Sequence, residues 1–208
     1  MIDEIPLEEI DKDVSKNKYV LVRTGGFHPF YNVKQAPEKY RQNIWPWIKK
    51  IKEHKSIKDR TVNLLSVTAG KNDGDLISDW YLPKNTPKPY WPLVHSIFLK
   101  YLKLFVKEYY KQHANNIEII IDNYWYQNYL KNSKHKWHTH SHTNLSAVYY
   151  LHLPNPKKQG IKIFNKKSIN VKEGDLLIFP SYYLHTSKNN YNDQKKIIAF
   201  NFNLRNIR

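Results

Sequence analysis

In the run Trp137-His138-Thr139-His140-Ser141-His142 three imidazoles stand at alternate positions, and His185 follows 43 residues after the last of them, at the end of Ile178-Phe179-Pro180-Ser181-Tyr182-Tyr183-Leu184-His185. In an extended strand, positions i and i+2 point to one face with Cα atoms roughly 6.5 Å apart. Two rings so placed can close on a single metal ion with nitrogens at about 2.0–2.2 Å from it. His185, arriving on a neighbouring strand, would supply a further ligand. Histidines in a Lys-rich polar stretch are otherwise ordinary solvated surface. Here, however, the run leads straight into Leu145-Ser146-Ala147-Val148-Tyr149-Tyr150-Leu151, whose β-branched and aromatic content favours a buried strand.

The rest of the composition narrows the chemistry. The chain has 208 residues and no cysteine, which excludes disulfides, thiolate zinc, iron–sulfur clusters and cysteine nucleophiles. Any metal falls to His, Asp or Glu. The acidic start Met1-Ile2-Asp3-Glu4-Ile5 lacks a secretory pattern, and no apolar run of about 18 residues occurs. The expectation is therefore one soluble, cytoplasmic domain (1–208) with no membrane partner. A net charge of +16 gives a general attraction to anions, but it comes almost wholly from Lys scattered among Asn, Ile and Tyr. Neither a zinc-finger pattern nor a single-stranded-RNA signature accompanies it, so dedicated nucleic-acid recognition is not favoured. Nothing in the sequence specifies an oligomeric state.

The elements that must position the histidines fall into two parts. Residues 1–116 read as mixed and largely helical. They comprise a strand at 18–24, a helix at 37–54 bent by Pro46, a strand near 61–68, and a long helix over 92–114. In the long helix Leu93, Ile97, Phe98, Tyr101, Leu104, Phe105 and Tyr109 follow the helical period. His95 and His113 on that helix read as packing or surface residues. From residue 117 short strands take over, near 117–122, 124–130, 145–152, 161–165, 168–172, 175–180, 184–187 and 196–204, with loops at 155–160 and 188–193. About eight short strands in some 90 residues predict a mainly β, α+β architecture: a barrel or sandwich covered by the earlier helices.

Four segments in order carry a resemblance. His138-x-His140, the Leu145–Leu151 strand, Glu173-Gly174-Asp175-Leu176-Leu177-Ile178-Phe179-Pro180-Ser181 and His185, with Lys195 before Ile197-Ile198-Ala199-Phe200-Asn201-Phe202, resemble the iron(II)- and 2-oxoglutarate-dependent oxygenases over roughly residues 123–208. The nearest branch is the bacterial and phage group with the order H-x-H, L-S-G-V-Y-Y-L, F-P-S, H. The resemblance implies a double-stranded β-helix (jelly-roll, cupin-like) core over 117–208. It also implies iron(II) held by His138, His140 and His185, with 2-oxoglutarate as cosubstrate. Across the wider superfamily the middle ligand is commonly a carboxylate, so His140 departs from it and leaves the metal one charge more positive.

His140 with His142 is the alternative pair; counting back six residues from Ser146 favours His138 with His140. Further positions follow from the same resemblance. Lys195, ten after His185, takes the place of the cation that binds the distal carboxylate of 2-oxoglutarate, with Lys196 as the neighbouring alternative. Tyr149 matches a tyrosine that reaches the same carboxylate, and Asn128 a polar position near the cosubstrate. His135 and His152 are not expected to be ligands, and Asp175 reads as a turn residue. Gly25 to Tyr31 and Asp79-Trp80-Tyr81 are expected at the mouth. The implied activity is hydroxylation of a small molecule or protein side chain with formation of succinate and CO2. Its rivals are a three-histidine, cupin-type dioxygenase that does not use 2-oxoglutarate, and a basic nucleic-acid-binding module.

Overall fold

The structure is a computed structural model describing residues 46–67, 76–80, 82, 83, 85–140, 143–164, 169–188 and 193–207. The expected strand at 18–24, most of the expected helix at 37–54, Gly25 to Tyr31, Tyr81 and His142 lie outside the described residues. In chain order the elements are β1 (Trp47–Lys50), α1 (His54–Val67), β2 (Leu76–Ser78), α2 (Trp91–Tyr110), a 3-10 turn (Lys111–Asn116), β3 (Ile117–Tyr129), β4 (Lys134–His138), β5 (Leu145–His152), α3 (Pro156–Gln159), β6 (Lys162–Ile163), β7 (Asp175–Pro180), β8 (His185–Lys188) and β9 (Lys195–Asn206).

Two antiparallel sheets form the body, one ordered β1-β7-β5-β9-β3-β2 and the other β4-β8-β6. This is the mainly β, helix-covered architecture of a double-stranded β-helix. Helices cover one face of the large sheet, and the smaller sheet covers the other. On the helical side Val94, Phe98, Tyr101, Leu102, Phe105 and Val106 of α2 are buried in one cluster with Tyr149, Ile198, Phe200 and Phe202 of the sheet. On the other side Trp125, Tyr129, Val148, Tyr150, Ile197 and Ala199 of the large sheet share a second cluster with Ile161, Ile163 and Val171. Each strand therefore feeds two cores by its alternation.

Several sequence expectations need correction. The segment near 61–68, β-prone in composition, is the end of α1: Ile57, Thr61 and Leu65 recur every four residues and all are buried, so packing of a helical stripe overrides strand propensity. Residues 47–50 are not helical. Pro46, lacking an N–H, suits an edge, and the segment adds to the free side of β7 with Trp47 opposite Ile178. β2, β4 and the short α3, the last within an expected loop, were not anticipated. No strand forms over 169–172, and 161–165 shortens to Lys162–Ile163.

The expected strands 117–122 and 124–130 are one strand with a register shift between Ile121 and Asn123. That bulge exchanges the faces of β3. Ile117, Ile119 and Ile121 face the helical core before it, and Tyr124 and Tyr126 after it, so Trp125, Gln127 and Tyr129 turn to the opposite side. The 3-10 turn extends the expected long helix to its end, and no helix among the described residues is long and apolar enough to cross a membrane.

The turn before β7 ties three elements together. Gly174 has φ +83, and a Cβ there would lie 2.5 Å from Lys50 Nζ and 2.8 Å from His54 Cγ, so both backbone and space require glycine. Its N–H donates to Tyr150 O at 2.7 Å and its carbonyl accepts from Ile51 N at 2.9 Å. Asp175 is the turn residue expected, accepting from Lys172 N at 2.7 Å. Beside it Glu173 accepts from Lys58 at 2.6 Å, His54 at 3.2 Å, His152 at 2.9 Å and Leu153 N at 3.0 Å.

Burial alone would raise the Glu173 pKa, but the bonds from Lys58, Leu153 and His54 outweigh it and hold the carboxyl at about 2. Its folded pKa lies below its unfolded one, so its stabilisation is present above pH 4.5 and is lost as pH falls through about 2. Urea unfolding between pH 5 and 2 should show this loss, on the order of 1–2 kcal/mol after solvent screening, and Glu173→Gln should flatten that part of the profile. An unchanged slope in the variant would remove Glu173 from the account.

Candidate metal and cosubstrate site

β4 and β8 bring the first and last histidines together, because His138 and His185 are register partners across the pair. His140 lies just beyond the end of β4. Its N–H donates to Ser181 O at 2.9 Å, Ser181 N donates to Asn144 O at 3.1 Å, and the Ser181 hydroxyl bonds Thr143 O. The Pro180-Ser181 turn thus fixes the loop that carries His140 above His185. Ring centroids stand 5.1 Å apart for His138–His140, 4.2 Å for His138–His185 and 5.0 Å for His140–His185. One nitrogen from each lies within 4.8 Å of the others, a group that could hold a metal ion.

Two of the rings are oriented from behind. His138 Nδ1 donates to Lys136 O at 2.8 Å and His185 Nδ1 to Tyr183 O at 2.7 Å, which leaves Nε2 of each with its lone pair free to ligate. Burial, reinforced by the neighbouring imidazoles, holds His140 and His185 well below the ordinary histidine pKa. Both are neutral near pH 7, the form a metal requires. The donor set therefore fits a first-row divalent ion. His135, which the sequence reading did not single out as functional, packs on His138 with centroids 3.9 Å apart, and burial lowers its pKa to about 3.

The three rings line a pocket between the sheets, with Trp125, Gln127, Tyr129, Val148, Tyr150 and Ser187 among its walls. Ser187 is two residues beyond His185 on β8. There the side chain of Lys195, fully buried, donates to Ser187 Oγ and to Gln159 O at 3.0 Å, and its ammonium lies 3.8 Å from the centre of the Tyr129 ring. Lys196 takes the other face of β9.

Tyr149 and Asn128 are not brought to this cavity, and the reason is alternation. Across β9, Tyr129 is paired with Lys195, and Tyr150 with Ile197. Register partners share a face, so with Lys195 inward, Tyr129 and Tyr150 are inward and their neighbours Asn128 and Tyr149 are outward. The Tyr149 hydroxyl instead meets His54 Nδ1 at 2.5 Å, and Asn128 donates to Gln194 at 3.2 Å. Gln127, Tyr129 and Tyr150 are the residues the sequence reading missed, and extending the face of Lys195 across the register would have found them. At the rim Trp80, 41% exposed, stands edge-on to Trp125 at 4.7 Å. Asp79 is buried, accepting from Tyr126 N and Tyr90 Oη at 2.7 Å each. His152 bonds Glu173, and His95 lies tilted against Trp91 with ring centroids 5.5 Å apart.

No family model matches the sequence, and no curated protein matches it. Solved structures do match the fold. An oxidoreductase of the 2OG-Fe(II) oxygenase family from Burkholderia pseudomallei aligns with TM-score 0.58 and 10% identity, covering 77% of this chain and 85% of that one. A prolyl hydroxylase from Trichoplax adhaerens, in complex with a hypoxia inducible factor oxygen degradation domain peptide fragment, aligns with TM-score 0.56 and 12% identity over 77% and 84%. HygX from Streptomyces hygroscopicus, with nickel, 2-oxoglutarate and hygromycin B bound, aligns with TM-score 0.50 and 11% identity over 76% and 82%. The chain has the fold of the 2OG-Fe(II) oxygenases.

Burial lowers the Lys195 pKa from 10.5 to about 7. The unfolded chain then holds this proton up to pH 10.5 while the folded one gives it up near 7, so in between the unfolded state binds more protons and rising pH favours folding. The metal-free wild type should gain stability from pH 7 to 9 relative to Lys195→Met in paired denaturant titrations. Parallel curves for the two proteins would show that Lys195 is not buried as described.

Proposed function

We propose that the chain is an iron(II)- and 2-oxoglutarate-dependent dioxygenase that hydroxylates a small molecule or a protein side chain, forming succinate and CO2. The observation that carries this reading is the pairing of three convergent imidazoles, at one place in the cavity, with the buried Lys195 of β9, whose side chain reaches Ser187, one i to i+2 step beyond His185 on β8. That step is about 6.5 Å, and a five-carbon diacid bound to the metal by its oxoacid end would extend its second carboxylate toward Lys195. A three-histidine dioxygenase that uses no cosubstrate has no need of this cation, and a nucleic-acid-binding module has no need of either feature. In this reading residues 117–208 are the catalytic core of one domain and residues 1–116 its cover.

His138, His140 and His185 would hold the iron, which with 2-oxoglutarate bound supplies the activation of oxygen and the oxidising power. The rest falls to the chain. The Lys136 and Tyr183 carbonyls hold Nδ1 of His138 and His185, so each ring would present Nε2 to the metal. Lys195, with Tyr129 and Tyr150 beside it, orients the acid, replacing the roles first assigned to Tyr149 and Asn128. Val148, Ile161, Ile197 and Ala199 give the cavity a mostly apolar wall that keeps water away from the metal. No side chain is needed as general acid or base. Complexes with a peptide fragment and with hygromycin B among proteins of this fold support a substrate of modest size entering past Trp80.

Anaerobic titration with iron(II) and 2-oxoglutarate should produce a metal-to-ligand charge-transfer absorption. His138→Ala and His185→Ala should abolish it, whereas Lys195→Ala should weaken 2-oxoglutarate by roughly 10- to 150-fold, the equivalent of one charge-assisted bond, with iron still bound. Iron-loaded wild type that gives no band at saturating 2-oxoglutarate would refute the reading.

A further inference from the structure

The inward face of β9 runs Lys195, Ile197, Ala199 and then Asn201, which is 2% exposed. Asn201 accepts the Ser146 hydroxyl at 2.8 Å, and Ser146 lines the cavity. Directly across the β3–β9 pair stands Asn123, the first residue that the bulge turns to the Trp125 face. The Trp125 ring lies 5.7 Å from His140. These three polar residues therefore continue the cavity wall on the far side of the histidines from Lys195, where a substrate rather than a cosubstrate would lie.

Asn123 Oδ1 is buried and has no hydrogen-bond partner. A buried carbonyl left unpaired is costly to the fold, and neither core needs a carboxamide at this position. A ligand N–H would satisfy it. Beside it, Asn201 has given its carbonyl to Ser146 and offers its NH2. An acceptor and a donor side by side are the complement of an amide, and the absence of formal charge in the row disfavours carboxylate or ammonium there.

We propose that Asn123, Asn201 and Ser146 are specificity-determining residues that bind a neutral amide group of the substrate beside the Trp125 face. The inference rests on the cavity being the substrate cavity of the proposed oxygenase. It names the ligand chemistry, an amide, which a free carboxamide and a peptide group share.

The test uses the full chain and ligand-observed NMR with benzamide and N-acetylglycine N-methylamide, each against its ester counterpart, methyl benzoate and methyl acetoxyacetate. At least one amide should bind tenfold or more tightly than its ester. Preference for benzamide alone assigns a small carboxamide; preference for the blocked glycine assigns a peptide group. Asn123→Leu should bring the amide-to-ester ratio to about one and, by removing the unpaired carbonyl, raise Tm by about 2–4 °C, whereas a merely structural asparagine would lower it. Ser146→Ala, should the leucine variant not fold, should reduce the ratio severalfold. Equal binding of amide and ester by the wild type, or an undiminished ratio in the folded variants, overturns the proposal. Iron binding is measured separately on the wild type, so loss of the oxygenase reading is distinguishable from loss of this one.

Discussion

The two-residue alternation of β9 is the constraint on which the rest of the structure depends. β9 lies between β3 and β5 in the large sheet, and partners across an antiparallel pair share a face. Once Lys195 points between the sheets, Ile197, Ala199 and Asn201 must follow, with Tyr129, Gln127, Trp125 and Asn123 on one side and Tyr150, Val148 and Ser146 on the other. Ile198, Phe200 and Phe202 must then meet the helices. A shift of one residue would carry the lysine into the helical core and empty the cavity wall. The bulge at Asp122 is the device that lets a 13-residue strand obey this rule at one end and pack three isoleucines on the helical side at the other.

Electrostatics complete what register begins. His140 and His185 sit where burial disfavours their charged forms, so protons would not compete with a metal for them near neutral pH. The lysine sits where burial disfavours its charged form as well, and that strain is what an incoming carboxylate would relieve. A neutral donor at position 140 in place of a carboxylate would leave a bound metal with its full positive charge, and the apolar wall around it would leave little water to disperse that charge. Positioning the three rings falls to the backbone carbonyls of Lys136 and Tyr183 and to the Ser181 turn, none of which carries a formal charge.

Much of this was legible in the residues. The alternating histidines, the strand-prone run after them and the distal His185 placed the metal-capable group, and the strand count implied the fold. Lys195 was singled out by its distance from His185. Tyr149 and Asn128 each stand one residue off the face that Lys195 shares, because spacing from a motif ignores the parity of a strand. The bulge that sets β3's faces has no local signature beyond the Asp122-Asn123 pair. The α1 helix was hidden by a β-prone composition, and only the four-residue recurrence of Ile57, Thr61 and Leu65 decides for a helix. The β1 strand was hidden because its pairing partner, β7, lies more than a hundred residues away.

The claim at the centre of this account is that one metal ion is held by three neutral imidazoles. X-ray absorption at the iron edge of iron(II)-loaded protein, before cosubstrate is added, tests it most directly. The account predicts multiple scattering from three imidazole rings per iron, falling to two in His140→Ala. An iron with two or fewer imidazoles in the wild type, or a count unchanged in that variant, would contradict it.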